Sequence, residues 1–243
     1  MEFIFIFIFG IVIGSFMNVV IYRIPKEESI VFPASKCQSC QTPLKWYHNI
    51  PIFSWLALRG KCGFCSEPIS KQYPIVEFIT GMIFVAVFLK MGITIYAGVI
   101  AIVFTLLLAL TMIDFKYMAI PDSLNLLALT LSIIQPDFLE AGHNALLAVA
   151  GFTLMRFYLS YLLKKEAMGE GDIMIAGTMG AILGFPLFFF ALFLSALLAL
   201  VPSMIAKDTD HAVPFVPFLA LATFIVFVFD NEFLELGVWI MNG

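Results

Sequence analysis

Thirty-four consecutive residues, Ile173 to Ala206, carry no charged side chain. As one helix they would reach about 51 Å, against a bilayer hydrocarbon core of about 30 Å. Gly184, Phe185 and Pro186 supply a break, since proline continues a helix poorly and glycine favours a turn. The stretch therefore reads as two membrane spans, 173–184 and 187–206, the first of them short. The same reading runs through the chain. Phe3 to Tyr22 is a 20-residue uncharged run, long enough to cross a bilayer. It has no basic stretch before it and no small-residue cleavage site after it, so it reads as a retained span and not a signal peptide. Further candidates are 74–91, 95–113, 123–136, 145–163 and 214–230. The expected fold is an all-α polytopic membrane protein with about eight transmembrane helices. Composition agrees: 62% of residues are hydrophobic and 12% charged, where a soluble domain carries about 25% charged residues. The net charge of −4 gives no sign of a nucleic-acid partner.

Residues 23–72 break the pattern. They hold seven of the 13 Lys and Arg residues and all four cysteines. The expected organisation is a first transmembrane helix (1–22), a polar insert (23–72) and a seven-helix membrane core (73–243). Eight spans would put the insert and the loops at 114–122, 164–172 and 207–213 on one side. That side holds Arg23, Lys26, Lys36, Lys45, Arg59, Lys61, Lys71, Lys116, Lys164, Lys165 and Lys207, against Lys90 alone on the other. The bias makes the insert side cytoplasmic. Arg156 falls within a span. No internal repeat stands out; Phe3 to Phe9 alternates Phe and Ile as apolar filling. Trp46, Trp55 and Trp239 mark candidate interfaces.

Two acids sit at the cytoplasmic boundary of this map. Asp114 ends the third span and Asp172 opens the sixth. Two helix ends from different hairpins can bring such acids together, and paired carboxylates are the machinery of aspartic proteolysis. Gly169 and Gly171 lack a Cβ, which would let a substrate backbone approach closely. An acid beside irregular backbone at membrane depth is a functional candidate. A second reading of Asp172 is a helix N-cap, with the glycines as loop punctuation. Asp122, after Pro121, fits an N-cap better. Asp114 lies at a helix C-terminus, where an acid opposes the macrodipole; its own helix offers it no structural reason to be there. Glu166 and Glu170 read as solvated loop charges, and His48, His143 and His211 as loop residues.

Cys37, Cys40, Cys62 and Cys65 form a C-x2-C-x21-C-x2-C pattern. Two such hairpins suit a tetrahedral thiolate site for zinc. Four thiolates close the coordination sphere, so the metal would be structural. Two disulfides or a redox pair are the alternatives, and a cytosolic setting disfavours structural disulfides.

Taken in order, these segments resemble the type IV prepilin leader peptidase family, whose members pair peptidase with N-methyltransferase activity. The resemblance covers nearly the whole chain. GSFMNVVIYRIP (14–25) is similar to the family signature at the end of its first span, and the cysteine tetrad to its cytoplasmic zinc domain. YHNIPIFSWLALRGKC (47–62) and YPIVE (73–77) match the flanks. IDFKYMAIPD (113–122) and GEGD (169–172) match the two aspartate motifs of this GxGD-type membrane protease. The resemblance implies Asp114 and Asp172 as catalytic residues, prepilin or pseudopilin substrates of type IV pilus and type II secretion systems, and cleavage at the cytoplasmic face of the bacterial inner membrane. It also implies methylation of the new N-terminus from S-adenosylmethionine, with Asn18, Arg23 and Glu77 as candidate methyl-donor-binding residues. The residues alone leave plainer roles open: an interhelical hydrogen bond for Asn18, an interfacial anchor for Arg23, and a place near a helix start, favoured by the dipole, for Glu77. Val216 departs from the family pattern, which commonly has Gly between Phe215 and Pro217. Two rivals are a peptidase without methyltransferase activity and a proton-coupled transporter or zinc-bearing scaffold.

Overall fold

The computed structural model describes residues 1–164, 169–205 and 214–242. Lys165, Glu166, Lys207 and His211, and with them the 207–213 loop, lie outside the described residues. All eight expected runs are helical. The helices are α1 Glu2–Arg23, α2 Phe53–Ala57, α3 Gln72–Met91, α4 Ile95–Tyr117, α5 Asp122–Ile133, α6 Phe138–Leu163, α7 Glu170–Leu183, α8 Leu187–Ile205, α9 Val216–Val228 and α10 Asp230–Asn242.

Their lengths do not deliver eight full crossings. Among the described residues, five helices (α1, α3, α4, α6 and α8) are long and apolar enough to span, and the bent pair α9 and α10 makes a sixth if taken as one. Helices α5, α7 and α9 have 12, 14 and 13 residues, about 18–21 Å of rise against a core of about 30 Å. The apolar runs overestimated α5 and α9, because backbone punctuation ends a helix before hydrophobicity does; α7, expected to be short, starts three residues before its run. Helix α5 stops at Ile133, short of Pro136. Helix α7 runs only from its N-cap Gly169 to its C-cap Gly184, whose φ of 63° favours glycine. Helix α10 was not expected at all. Asp230, Glu232 and Glu235 interrupt its apolar pattern, and it turns 87° away from α9.

The chain forms two compact units, Met1–Ile93 and Thr94–Gly243. In the first, α1 packs along α3 at very short range. A Cβ on Gly10 would stand 2.9 Å from the Gly81 Cα, and one on Gly14 would stand 2.8 Å from the Glu77 Cα. Small residues are what let two helices in lipid gain from close packing. So α3, expected within a 73–243 core, belongs to the unit of α1 and the insert.

The insert contains the repeat that the sequence pattern hid. Lys36 pairs with Pro43 and Lys61 with Pro68 in matching antiparallel bridges. Cys37 N–H donates to Thr42 O at 3.0 Å, and Cys62 N–H to Glu67 O at 2.8 Å. Gln41 and Ser66 turn each loop with φ of 58° and 60°. The shared pattern is Lys-Cys-x-x-Cys-x-x-Pro, too short and too divergent to stand out before its geometry is seen. Trp55 ties the second knuckle to α2: its Nε1 donates to Ile69 O at 3.2 Å, and its ring closes on Gly60. Trp55 is thus a packing residue, whereas Trp46 and Trp239 are 80% and 72% exposed.

In the second unit, α7 lies against α5, α6 and α9, and α4 lies against α5 and α9. Gly177 and Gly180 admit the side of α6, where added Cβ atoms would meet Val149 Cγ2 at 2.7 Å and Asn144 O at 2.7 Å. Two side-chain amides fasten α5 to α7, one near each end. Asn125 Nδ2 donates to Gly171 O at 2.8 Å, and Gln135 Nε2 to Ala181 O at 2.9 Å. The N-cap of α5 is Pro121, and Asp122 is its first helical residue, one position later than expected. Its charge still favours a helix start.

Candidate functional site

Helix α4 carries Asp114 in its last turn, and α7 carries Asp172 in its first. Both side chains are buried, at 6% and 8% exposed, and they lie within electrostatic range of each other. The helices that bear them meet through α5 and α9, each of which packs against both.

Asp172 is the third residue of α7, not its N-cap; it accepts the N–H of the N-cap Gly169 at 3.2 Å. Asp114 has a structural partner that its own helix could not supply. The backbone N–H of Val216, the first residue of α9, is directed at its carboxylate. The next residue is Pro217, which has no N–H, and the Phe218 and Leu219 N–H groups turn back to Phe215 O. The positive end of α9 thus offsets the negative end of α4 at Asp114. A backbone N–H does not depend on the side chain, so this contact is available with valine at position 216.

Not all of this hydrogen-bonding capacity is used. Among the described residues of the second unit, three buried side-chain oxygens lack a partner: Asp114 Oδ2, Thr111 Oγ1 and Asn125 Oδ1. Thr111 lies three residues before Asp114, so both face the same side of α4. Buried polar atoms are ordinarily satisfied, and such a group beside two acids is what a site for a polar ligand requires. Thr111 and Asn125 escaped the sequence reading. The available signal was their polarity within apolar runs, which does not distinguish a site from a helix contact.

Gly171 meets its own chain here. A Cβ on it would stand 2.5 Å from Ile120 Cδ1 and 2.8 Å from Ile120 Cβ. The loop after Asp114 therefore docks on the residue before Asp172, linking the two aspartate motifs. Gly169 is exposed. Gly171→Ala is expected to lower stability by about 1–3 kcal/mol through overpacking. Because Ile120 Cβ is part of the clash, Gly171→Ala combined with Ile120→Gly should cost less than the sum of the two single changes. Thermal unfolding in detergent measures both. Glu170, expected as a free loop charge, pairs with Arg156 of α6 at 3.1 Å. At 81% exposure of Glu170 the pair adds little stability.

The four cysteines of the first unit converge, with ligand atoms all within 4.8 Å of one another and Cys37 Sγ 3.9 Å from Cys65 Sγ. Zinc–sulfur bonds of about 2.3 Å imply tetrahedral edges of about 3.8 Å, so the donor set fits zinc. Thr42, through its hydroxyl and its backbone, draws the Cys40 thiol down to about 6. Backbone N–H groups of Cys65 and Phe64 lower Cys62. Cys65 goes the other way, up to about 12: the Glu67 backbone pulls it down, but burial and hydrogen bonds from the other three thiols outweigh that. Four such sulfurs compete for protons, a conflict that a divalent cation relieves. His48 is more than a loop residue. Its ring packs edge-on against Phe64 of the second knuckle at 5.2 Å.

The three methyl-donor candidates each have an internal partner. Asn18 Nδ2 donates to Gly14 O at 3.3 Å and to Tyr73 O at 3.1 Å, with Oδ1 buried and unpaired. Glu77 accepts the Ile52 N–H at 2.7 Å. It lies in the second turn of α3, beyond the reach of the helix-start effect expected for it. Asn18 and Glu77 share the α1–α3 contact, while Arg23 donates to Ser29 O at 2.8 Å and Pro33 O at 2.7 Å, closing the chain reversal into the insert.

Residues 8–91 match the bacterial peptidase A24 N-terminal domain, and residues 101–204 match the type IV leader peptidase family. Several similar proteins are named prepilin leader peptidase/N-methyltransferase. One from Pectobacterium carotovorum subsp. carotovorum is 32% identical, covering 88% of each chain. One from Neisseria gonorrhoeae is 33% identical over 93% of this chain and 90% of its own. One from Myxococcus xanthus (strain DK1622) is 37% identical over 74% of this chain and 56% of its own. No solved structure matches the chain. The protein belongs to the type IV leader peptidase family.

Proposed function

We propose that this protein cleaves the leader peptide from type IV prepilins and pseudopilins at the cytoplasmic face of the bacterial inner membrane, using Asp114 and Asp172 as an aspartate dyad. The observation that carries the proposal is the burial of these two acids within electrostatic range of each other, each addressed by a backbone N–H. In the working dyad the two like charges would not both ionise, so one carboxyl would keep its proton. The ionised partner takes a proton from water as that water's oxygen attacks the scissile carbonyl carbon. The protonated partner donates to the carbonyl oxygen, and the C–N bond then breaks as its nitrogen is protonated. The pair titrates as a unit, so neither residue is assigned permanently as acid or base. A cytoplasmic active site is supported by residues 23–72, which hold seven of the 13 Lys and Arg residues; α3 and α4, each long enough to span, would return the chain to that side at Asp114. A cut at that boundary separates the leader from the prepilin's hydrophobic segment, which stays in the bilayer.

Cys37, Cys40, Cys62 and Cys65 would hold a structural zinc that staples the two knuckles. S-adenosylmethionine would supply a methyl group to the new N-terminal amine. Asn18 and Glu77 are its candidate binding residues beside the α1–α3 contact, with Arg23 ordering the adjoining loop. A second reading, a peptidase without methyltransferase activity, is favoured by one observation: all three of those residues already have partners within the chain. Incubation of the purified protein with a prepilin and methyl-labelled S-adenosylmethionine tests both. The expected product has lost its leader and carries label on its new N-terminus. A cleaved, unlabelled product would support the second reading, and an intact prepilin would overturn the proposal.

A further inference from the structure

Asn125 is fully buried on α5. Its Nδ2 donates to Gly171 O at 2.8 Å. That bond sets the amide's orientation, because a carbonyl oxygen accepts and only the NH2 end can donate to it. The other end, Oδ1, is buried and has no partner. Gly171 immediately precedes Asp172, and Gly169 N–H is the donor to Asp172 Oδ2. Asn125 therefore grips the single turn of backbone that presents the second acid. Two of the three residues before Asp172 are glycines, so that turn has little side-chain packing of its own and the largest backbone freedom to lose. Ile120 seats against one side of Gly171, and Asn125 holds its carbonyl. Both belong to the segment that runs from Asp114 into α5, the helix packed against α4 and α7 alike.

We propose that Asn125 is a positioning residue for peptide cleavage: its amide holds the Gly171 carbonyl so that Asp172 is presented to Asp114. This inference rests on the dyad reading above. In this role Asn125 acts through its bond to Gly171, not on the scissile bond itself.

The test uses the purified full chain and a model prepilin, comparing wild type with Asn125→Ala, Asn125→Asp and, as the inactive control, Asp114→Asn. Asn125→Ala is expected to lower kcat roughly tenfold or more with KM within about twofold, the signature of misplaced chemistry and not of lost binding. Asn125→Asp supplies the readout that a merely structural role would not move. When protonated, its carboxyl can donate to Gly171 O; when ionised, it repels that oxygen. Its rate relative to wild type should therefore be highest at acidic pH and fall as pH rises, whereas the Asn125→Ala ratio should stay flat. The charged and titratable groups on α5 and on the helices packed against it are Asp122 on α5, Asp114 and Lys116 on α4, Glu170 and Asp172 on α7, and Glu140, His143 and Arg156 on α6, besides the tyrosines of α4 and α6. Wild type and Asn125→Ala share all of them, so their own titration divides out of both ratios, and what differs is the carboxyl added at position 125. Wild-type kcat in Asn125→Ala would overturn the proposal. So would parallel pH ratios for the two Asn125 variants, or a loss of kcat matched by a loss of folded protein. If Asp114→Asn is dead while Asn125→Ala is normal, this inference alone fails; if Asp114→Asn cleaves normally, the dyad reading fails and takes the inference with it.

Discussion

Asp114→Asn and Asp172→Asn should each abolish prepilin cleavage while the protein still folds and accumulates in the membrane. The expected loss is at least the 10²–10⁴-fold that positioned acid–base groups contribute. The structure explains why folding should survive. An asparagine Oδ1 at position 172 can still accept the Gly169 N–H, and one at 114 still turns an oxygen toward the Val216 N–H. What asparagine cannot do is take a proton from water or hold one to donate. The two residues act as a unit, so the double variant should be scarcely slower than either single one. Mass spectrometry of the prepilin against a membrane fraction blotted for the enzyme reads both quantities. Normal cleavage by either variant would remove the dyad from the mechanism.

The second large effect is expected at the cysteines. Cys37→Ser with Cys62→Ser removes one ligand from each knuckle, and the purified protein should lose its zinc. Binding of structural zinc by small domains supplies about 10–16 kcal/mol of folding free energy, so the knuckles should lose their order with the metal. The α1–α3 pair should persist, because its contact is made by Gly10, Gly14 and Gly81 and does not use the metal. Metal analysis together with limited proteolysis distinguishes these fates: cuts within 23–72 and an intact membrane region are expected. Full zinc content in the double variant would refute a shared four-thiolate site. A strong chelator applied to the unmodified protein should reproduce the proteolysis pattern.

Much of this protein could be read before its coordinates. All eight apolar runs became helices, because a chain in lipid must satisfy its backbone hydrogen bonds internally. The cysteine spacing pointed to one site, and the thiols do meet, since each C-x2-C pair is local and only two knuckles needed to find each other. Helix ends were less legible. Asp122, read as a cap, and Asp172, for which a cap was the second reading, lie one and three positions inside their helices, because cap geometry depends on where the backbone turns. Helix α10 was invisible as a continuation, since its acids end an apolar run without ending a helix.

Sequence alone determined which side chains are costly in a bilayer, and hence that Asp114 and Asp172 needed an explanation. It did not reveal what makes their placement affordable. The N–H of Val216, 102 positions after Asp114 in the chain, the seat of Ile120 on Gly171 and the amide of Asn125 are contacts between segments that local pattern does not relate. Hydrophobicity and helix propensity are properties of short windows. The partners of a buried charge are chosen by which helices pack together, and only the tertiary structure decides that.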